Sequence, residues 1–203
     1  MRSFLSLAFA AALVTTAANA APRINEPAPD FTLQDTSGKA HSLAELKGKT
    51  VVLEWLNHGC PFVRKHYDSG NMQKLQKEVT GKGVVWLSIV SSAPGKQGHY
   101  AADKQGELAK EKGSNATAVL LDEPGKVGRL YDARTTPHMF VIDAKGVLQY
   151  AGAIDSVPSS DKDDIAKAEP YVSEAVDAVL AGKSPKTQMT KSYGCSVKYG
   201  DNS

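Results

Sequence analysis

Residues 50–67, Thr50-Val51-Val52-Leu53-Glu54-Trp55-Leu56-Asn57-His58-Gly59-Cys60-Pro61-Phe62-Val63-Arg64-Lys65-His66-Tyr67, decide the fold. Thr50 to Leu56 is a near-continuous apolar run after Gly48, short enough to read as a strand buried on both faces. Its one charged member is Glu54, which is costly there unless it is paired or protonated; a wet strand end with a solvated Glu54 is the plain alternative. Pro61 suits the first turn of a helix, so Cys60 is expected at a helix N-terminus. Unpaired N–H groups and the positive end of the helix dipole favour thiolate over thiol at that place, and Arg64, Lys65, His58 and His66 are candidates to add to the effect. A fall in pKa from about 8.5 to about 6.5 would raise the thiolate share at pH 7 from roughly 3% to roughly three quarters. The competing reading is a buried, inert cysteine at a strand end.

Upstream, a turn-rich entry over residues 22–30 leads into the alternating Phe31-Thr32-Leu33-Gln34, closed by Thr36-Ser37-Gly38-Lys39 as a short hairpin; Ser42 then caps a brief helical turn from Leu43 to Leu46. Downstream, Met72, Leu75 and Val79 recur at helical spacing as far as Gly81, with Ser69-Gly70 as a break. A second buried strand runs from Val84 to Val90. A loop at 91–98 precedes a polar helix from about His99 to Lys112, and Val119-Leu120-Leu121 is a third strand. A short helix near 126–131, a Thr135-Thr136-Pro137 turn and a hairpin over 139–150 follow. Residues 154–168 read as a charged loop, Pro170 opens a helix to about Ala181, and a polar tail contains Cys195. Strands alternating with helices predict an α/β fold, a mixed central sheet flanked by helices. It has an N-terminal strand extension and a C-terminal helix plus tail, all in one domain over residues 21–203 with the tail at 183–203.

Composition excludes other classes. The chain has 203 residues, 41% hydrophobic and 23% charged, which is globular rather than disordered or fibrous. Its 24 basic and 22 acidic residues are scattered without a basic stripe, so nucleic acid is not an expected partner. Arg2, the apolar run from Phe4 through Val14, and Ala18-Asn19-Ala20 have the order of a cleavable signal peptide over residues 1–20. Its run is about half of what a bilayer-crossing helix needs, so a secreted or periplasmic protein with no stable membrane insertion is expected. Both cysteines then lie where disulfides persist.

The set Pro27-Ala28-Pro29-Asp30-Phe31, Gly38, Leu46-Lys47-Gly48-Lys49 and Asn57-His58-Gly59-Cys60-Pro61-Phe62-Val63-Arg64-Lys65-His66-Tyr67 resembles the redoxin, or AhpC/TSA (peroxiredoxin-like), branch of the thioredoxin superfamily. The likeness covers about residues 26–153. It implies a thioredoxin-like fold and thiol-disulfide oxidoreductase or antioxidant activity. Cys60 matches the first cysteine of the thioredoxin C-x-x-C pair, and Val63 stands at the second. Glu54 falls where such proteins place a buried carboxylate that helps move protons at the sulfurs. Thr136-Pro137 resembles the cis-proline loop, which packs beside the cysteine and offers backbone groups to an incoming chain. The peroxidatic pattern P-x-x-x-T/S-x-x-C is not met, since Leu53 and Asn57 occupy its proline and Thr/Ser positions. Asn57 with His58 is expected to supply local hydrogen bonding and charge control.

Three readings of Cys195 stay open. It resolves an intermediate formed at Cys60, it closes a permanent structural clamp worth about 4–5 kcal/mol, or it is unpaired. The expected site is therefore Cys60, Cys195 and Glu54 for chemistry, with Asn57, His58, Thr136 and Pro137 for substrate. No metal and no cofactor is expected; the partners are a protein disulfide or thiol, or a small peroxide, and an external thiol reductant. The alternatives are a peroxiredoxin-like hydroperoxide reductase and a non-catalytic thioredoxin-fold binding module.

Overall fold

The computed structural model describes residues 21–201; the expected signal peptide over residues 1–20 lies outside them. In chain order the strands are β1 (Thr32–Asp35), β2 (Ala40–Ser42), β3 (Val51–Trp55), β4 (Val85–Val90), β5 (Ala118–Leu121), β6 (Thr135–Thr136), β7 (His138–Ile142), β8 (Leu148–Gly152) and β9 (Cys195–Ser196). The α-helices are α1 (Pro61–Asp68), α2 (Asn71–Gly81), α3 (Ala102–Glu111), α4 (Lys126–Leu130) and α5 (Tyr171–Leu180). Seven strands form one sheet in the order β2-β1-β5-β4-β3-β7-β8. The β3–β4 and β4–β5 pairs are parallel, while β3–β7, β7–β8, β1–β5 and β1–β2 are antiparallel. The mixed α/β sheet is the one the alternating pattern predicts.

Every residue of β3 is buried, as a strand covered on both faces must be. Strand periodicity sends Val52 and Leu56 into a core with Val63, Tyr67, Met72, Val79, Val172 and Val176, which come from α1, α2 and α5. Val51, Leu53 and Trp55 point the other way, toward Phe31, Tyr131, Phe140 and Leu148. Glu54 shares the Val52 face, so the one carboxylate in the strand is delivered beneath α1 and α2.

Three local expectations change. Ser42 belongs to β2 rather than capping a turn, and the Asp30 carboxylate accepts from the Ala44 N–H at 2.8 Å instead. The charged loop after β8 holds a 3₁₀ helix over Lys162–Lys167, capped by Asp161, which accepts from the Asp163 N–H. The tail is laid back on the sheet: the Ala151 N–H donates to the Gln188 carbonyl at 3.0 Å, and the Thr190 N–H to the Ala151 carbonyl at 3.1 Å.

Candidate active site

Cys60 is the N-cap residue of α1, with Pro61 as its first helical residue. The proline lacks an N–H that a first turn could not satisfy anyway, and its ring presets the helical φ. Cys60 is fully buried. Its Sγ lies 3.0 Å from the Thr136 carbonyl oxygen, to which the protonated sulfur donates. The Thr136–Pro137 peptide bond is cis.

β9 brings Cys195 to the same place. It pairs antiparallel with β6, Thr136 opposite Cys195 and Thr135 opposite Ser196. The Cys195 N–H donates to Sγ of Cys60 at 3.4 Å. Both cysteines are free thiols.

The two sulfurs are electrostatically unlike. Burial works against ionising Cys60, but hydrogen bonding from the Cys195 and Thr136 side chains and the N–H groups of Val63 and Cys195 outweighs it, leaving its thiol below the ordinary value. Cys195 is pushed up to about 11 by desolvation, by its hydrogen bond to Cys60 and by the charge there. Cys60 is thus the better anion, and Cys195 keeps its proton.

Glu54 is fully buried and, within the candidate site, is ringed by donors. Its Oε2 accepts from Ser88 Oγ at 2.7 Å, Trp86 Nε1 at 2.9 Å and Gln76 Nε2 at 3.3 Å, while Oε1 accepts from the Tyr67 hydroxyl at 3.2 Å. Burial raises its pKa in spite of those bonds. Oε1 has a hydroxyl as neighbour, which can reverse its role, so a proton on Oε1 still finds an acceptor in Tyr67. Neither cysteine is among these partners. The cost of a carboxylate in an apolar strand is met by this ring of polar groups, of which Tyr67, Gln76, Trp86 and Ser88 were invisible as a set in the sequence.

Asn57 and His58 occupy the turn before Cys60; Asn57 supplies the local hydrogen bonding expected of it, and the charge expected of His58 is missing. Asn57 Oδ1 accepts from the Gly59 N–H at 2.9 Å, its Nδ2 donates to the Gln97 carbonyl at 3.2 Å, and its own carbonyl accepts from the Cys60 N–H at 3.0 Å. That side chain ties the turn to the 91–98 loop. Burial, aided by the charge of Lys112, holds His58 down at about 4, so it is neutral at pH 7 and supplies no positive charge to the sulfur. His66 is likewise held at about 4, chiefly by burial. Arg64 pairs with Asp68 at 3.4 Å on the surface. The cations expected to assist Cys60 are therefore engaged elsewhere or absent, and the thiol is lowered by hydrogen bonds.

Lys65 is the clearest case. Its side chain is wholly buried, donating to the Val157 carbonyl at 3.2 Å and lying 3.8 Å from the Asp155 carboxylate. Asp155 also accepts from the Tyr193 hydroxyl and from the Val157 N–H. Tyr193 packs edge-on against Phe62, ring centroids 5.9 Å apart. Lys65, Asp155 and Tyr193 thus fasten the tail two residues before Cys195. No spacing rule connects these three positions; the aromatic next to Gly194-Cys195 was the one visible hint.

Residues 24–151 match the AhpC/TSA family. Over 125 residues the chain is 30% identical to the thioredoxin-like protein YneN of Bacillus subtilis, covering 61% of this chain and 68% of that protein. Over 130 residues it is 26% identical to the thiol-disulfide oxidoreductase ResA of Halalkalibacterium halodurans, covering 58% and 73%. The crystal structure of a hypothetical protein of Sinorhizobium meliloti is similar at a TM-score of 0.74 and 25% identity, over 90% of this chain and 98% of that one. The fold is thioredoxin-like. The matched family region stops before Cys195.

Proposed function

The chain belongs to the AhpC/TSA family, and on that premise we propose that it is a thiol-disulfide oxidoreductase with Sγ of Cys60 as attacking atom and Cys195 as resolving thiol. The name of the relative ResA points to the same reaction class. The observation that carries the reading is the unequal pair: Cys60 lowered, Cys195 raised to about 11, and the two held together by β6–β9 pairing.

The Cys60 thiolate attacks one sulfur of a partner disulfide, forming a mixed disulfide and expelling the partner's other sulfur as thiolate. Cys195 then loses its proton to the expelled partner thiolate or to solvent, and the resulting thiolate attacks Sγ of Cys60. The Cys60–Cys195 disulfide forms and the second partner thiolate leaves. The partner gains two electrons, the cysteine pair loses two, and an external thiol reductant restores the pair. In this reading Glu54, whose pKa burial raises, is the proton store, and Thr136-Pro137 is the docking edge. The leader over residues 1–20 would place this chemistry outside the cytoplasm. A hydroperoxide reaction is the weaker reading, because the amide of Asn57 is directed to Gln97 rather than to the sulfur.

The test is reduction of insulin disulfides with a thiol reductant, alongside mass analysis of trapped species. Wild type accelerates the reduction, Cys60→Ser is inactive, and Cys195→Ser accumulates a mixed disulfide at Cys60. Wild-type rates equal to those of Cys60→Ser remove the reading.

A further inference from the structure

The Thr135–Thr136 edge is already occupied by the chain itself. β6 is two residues long and both pair with β9. Beyond that pair, the Val197 N–H donates to the Arg134 carbonyl at 3.0 Å. The fit is tightest at Gly194, where a Cβ would lie 2.1 Å from the Thr136 carbonyl oxygen and 2.8 Å from its carbon. The backbone φ there is +134°, a region side chains rarely enter. The only way the structure presents a cysteine to Cys60 is therefore an extended strand, antiparallel to Thr135–Thr136, with glycine immediately before the cysteine. While that strand is docked, Cys60 has no exposed surface.

We infer that the segment 192–197 is a built-in stand-in for the partner chain: a protein disulfide reaches Cys60 only after displacing it, and docks in the same register with a glycine before its reacting cysteine. The inference rests on the reading of Cys60 as an attacking sulfur and adds the partner's chemistry to it: an extended Gly-Cys strand. The reaction is the exchange already written: once the mixed disulfide has formed, the partner strand leaves the edge while still held through its sulfur, and the tail returns to it, bringing Cys195 to resolve the bond.

The probe is a synthetic Ser-Tyr-Gly-Cys-Ser-Val-Lys peptide activated as its thionitrobenzoate disulfide, with release of thionitrobenzoate followed by absorbance. Ellman's reagent, the corresponding small disulfide, is the control. Two full-length variants loosen the tail while keeping both cysteines. Gly194→Ala introduces the clash with Thr136, and Val197→Pro removes the N–H that bonds Arg134. Both should accept the peptide about tenfold faster than wild type at high pH, the effect of losing one or two edge contacts. Their Cys60 titration should move up at the same time, because the docked tail also donates to that sulfur. An Ala-Cys version of the peptide should react about tenfold more slowly than the Gly-Cys version. Peptide rates within about twofold of wild type in both variants, with Cys60 still reactive, overturn the inference and leave the oxidoreductase reading standing. A Cys60 no faster than free glutathione toward Ellman's reagent in all three proteins overturns both.

Discussion

The backbone N–H of Cys195 points at Sγ of Cys60 from 3.4 Å, across 135 positions of sequence. A sulfur receiving that bond is stabilised as an anion, and the cysteine donating it is placed for attack. One contact thus joins the acidity of the first thiol to the position of the second, which makes the pair testable by titration.

Removing the Cys195 side chain should raise the Cys60 titration. Its folded value lies below the ordinary 9.0 and the Cys195 thiol is a named cause, so Cys195→Ala moves the midpoint of the iodoacetamide rate toward 9.0. The linkage signs are opposite for the two thiols. A lowered Cys60 contributes stability above 9.0 that is lost as pH falls through its folded value. A raised Cys195 contributes below 9.0 and loses that contribution as pH climbs from 9.0 to about 11. Wild-type reduced protein should therefore lose melting temperature between pH 9 and 11 more steeply than Cys195→Ala. An unchanged Cys60 midpoint in the variant would show that the side chain plays no part.

Glu54 should tolerate amidation and not truncation. With its oxygen accepting from Ser88, Trp86 and Gln76 and its NH₂ facing the Tyr67 hydroxyl, Glu54→Gln keeps the partners of the carboxyl group without its charge and should stay within about 1 kcal/mol of wild type at pH 7. Glu54→Ala strands those donors beside a cavity and should cost about 3–5 kcal/mol. Because the folded value is raised above 4.5, wild type loses stability as pH rises above 4.5; its melting temperature relative to Glu54→Gln should be higher at pH 4.5 than at pH 7. Equal losses for Gln and Ala in chemical denaturation would contradict a raised Glu54 pKa.

The buried Lys65–Asp155 pair should respond unequally to removal of either partner. Asp155→Ala leaves a wholly buried ammonium without its counter-ion and frees Tyr193, for a loss of about 3–5 kcal/mol. Lys65→Met keeps an apolar stem in the same space and leaves Asp155 bonded to Tyr193 and the Val157 N–H, so it should cost less, within about 2 kcal/mol. Urea midpoints of the two variants decide it, and a larger loss for Lys65→Met reverses the assignment.

Much of the scaffold was legible because it depends on local periodicity. The run from Val51 to Trp55 is apolar on both faces and becomes a central strand; Pro61 after Cys60 starts a helix; Ser69-Gly70 separates α1 from α2. Elements without such a signal were missed. A 3₁₀ helix in a charged loop has no apolar period, and β9 is two residues whose pairing strand lies some sixty positions upstream. The neutral state of His58 was equally hidden, since it follows from burial and not from residue type.

The sequence by itself determined where a sulfur would meet a helix N-terminus and that a carboxylate would be carried into the sheet. Strand alternation and helix capping act over a few residues, and the chain states them directly. Only the tertiary structure decided what surrounds those groups. The return of the tail onto Thr136, the Lys65–Asp155–Tyr193 fastening and the ring of donors on Glu54 join segments distant in sequence. Their energies depend on distance and desolvation in the folded state, and these exist only once the sheet has brought the segments together.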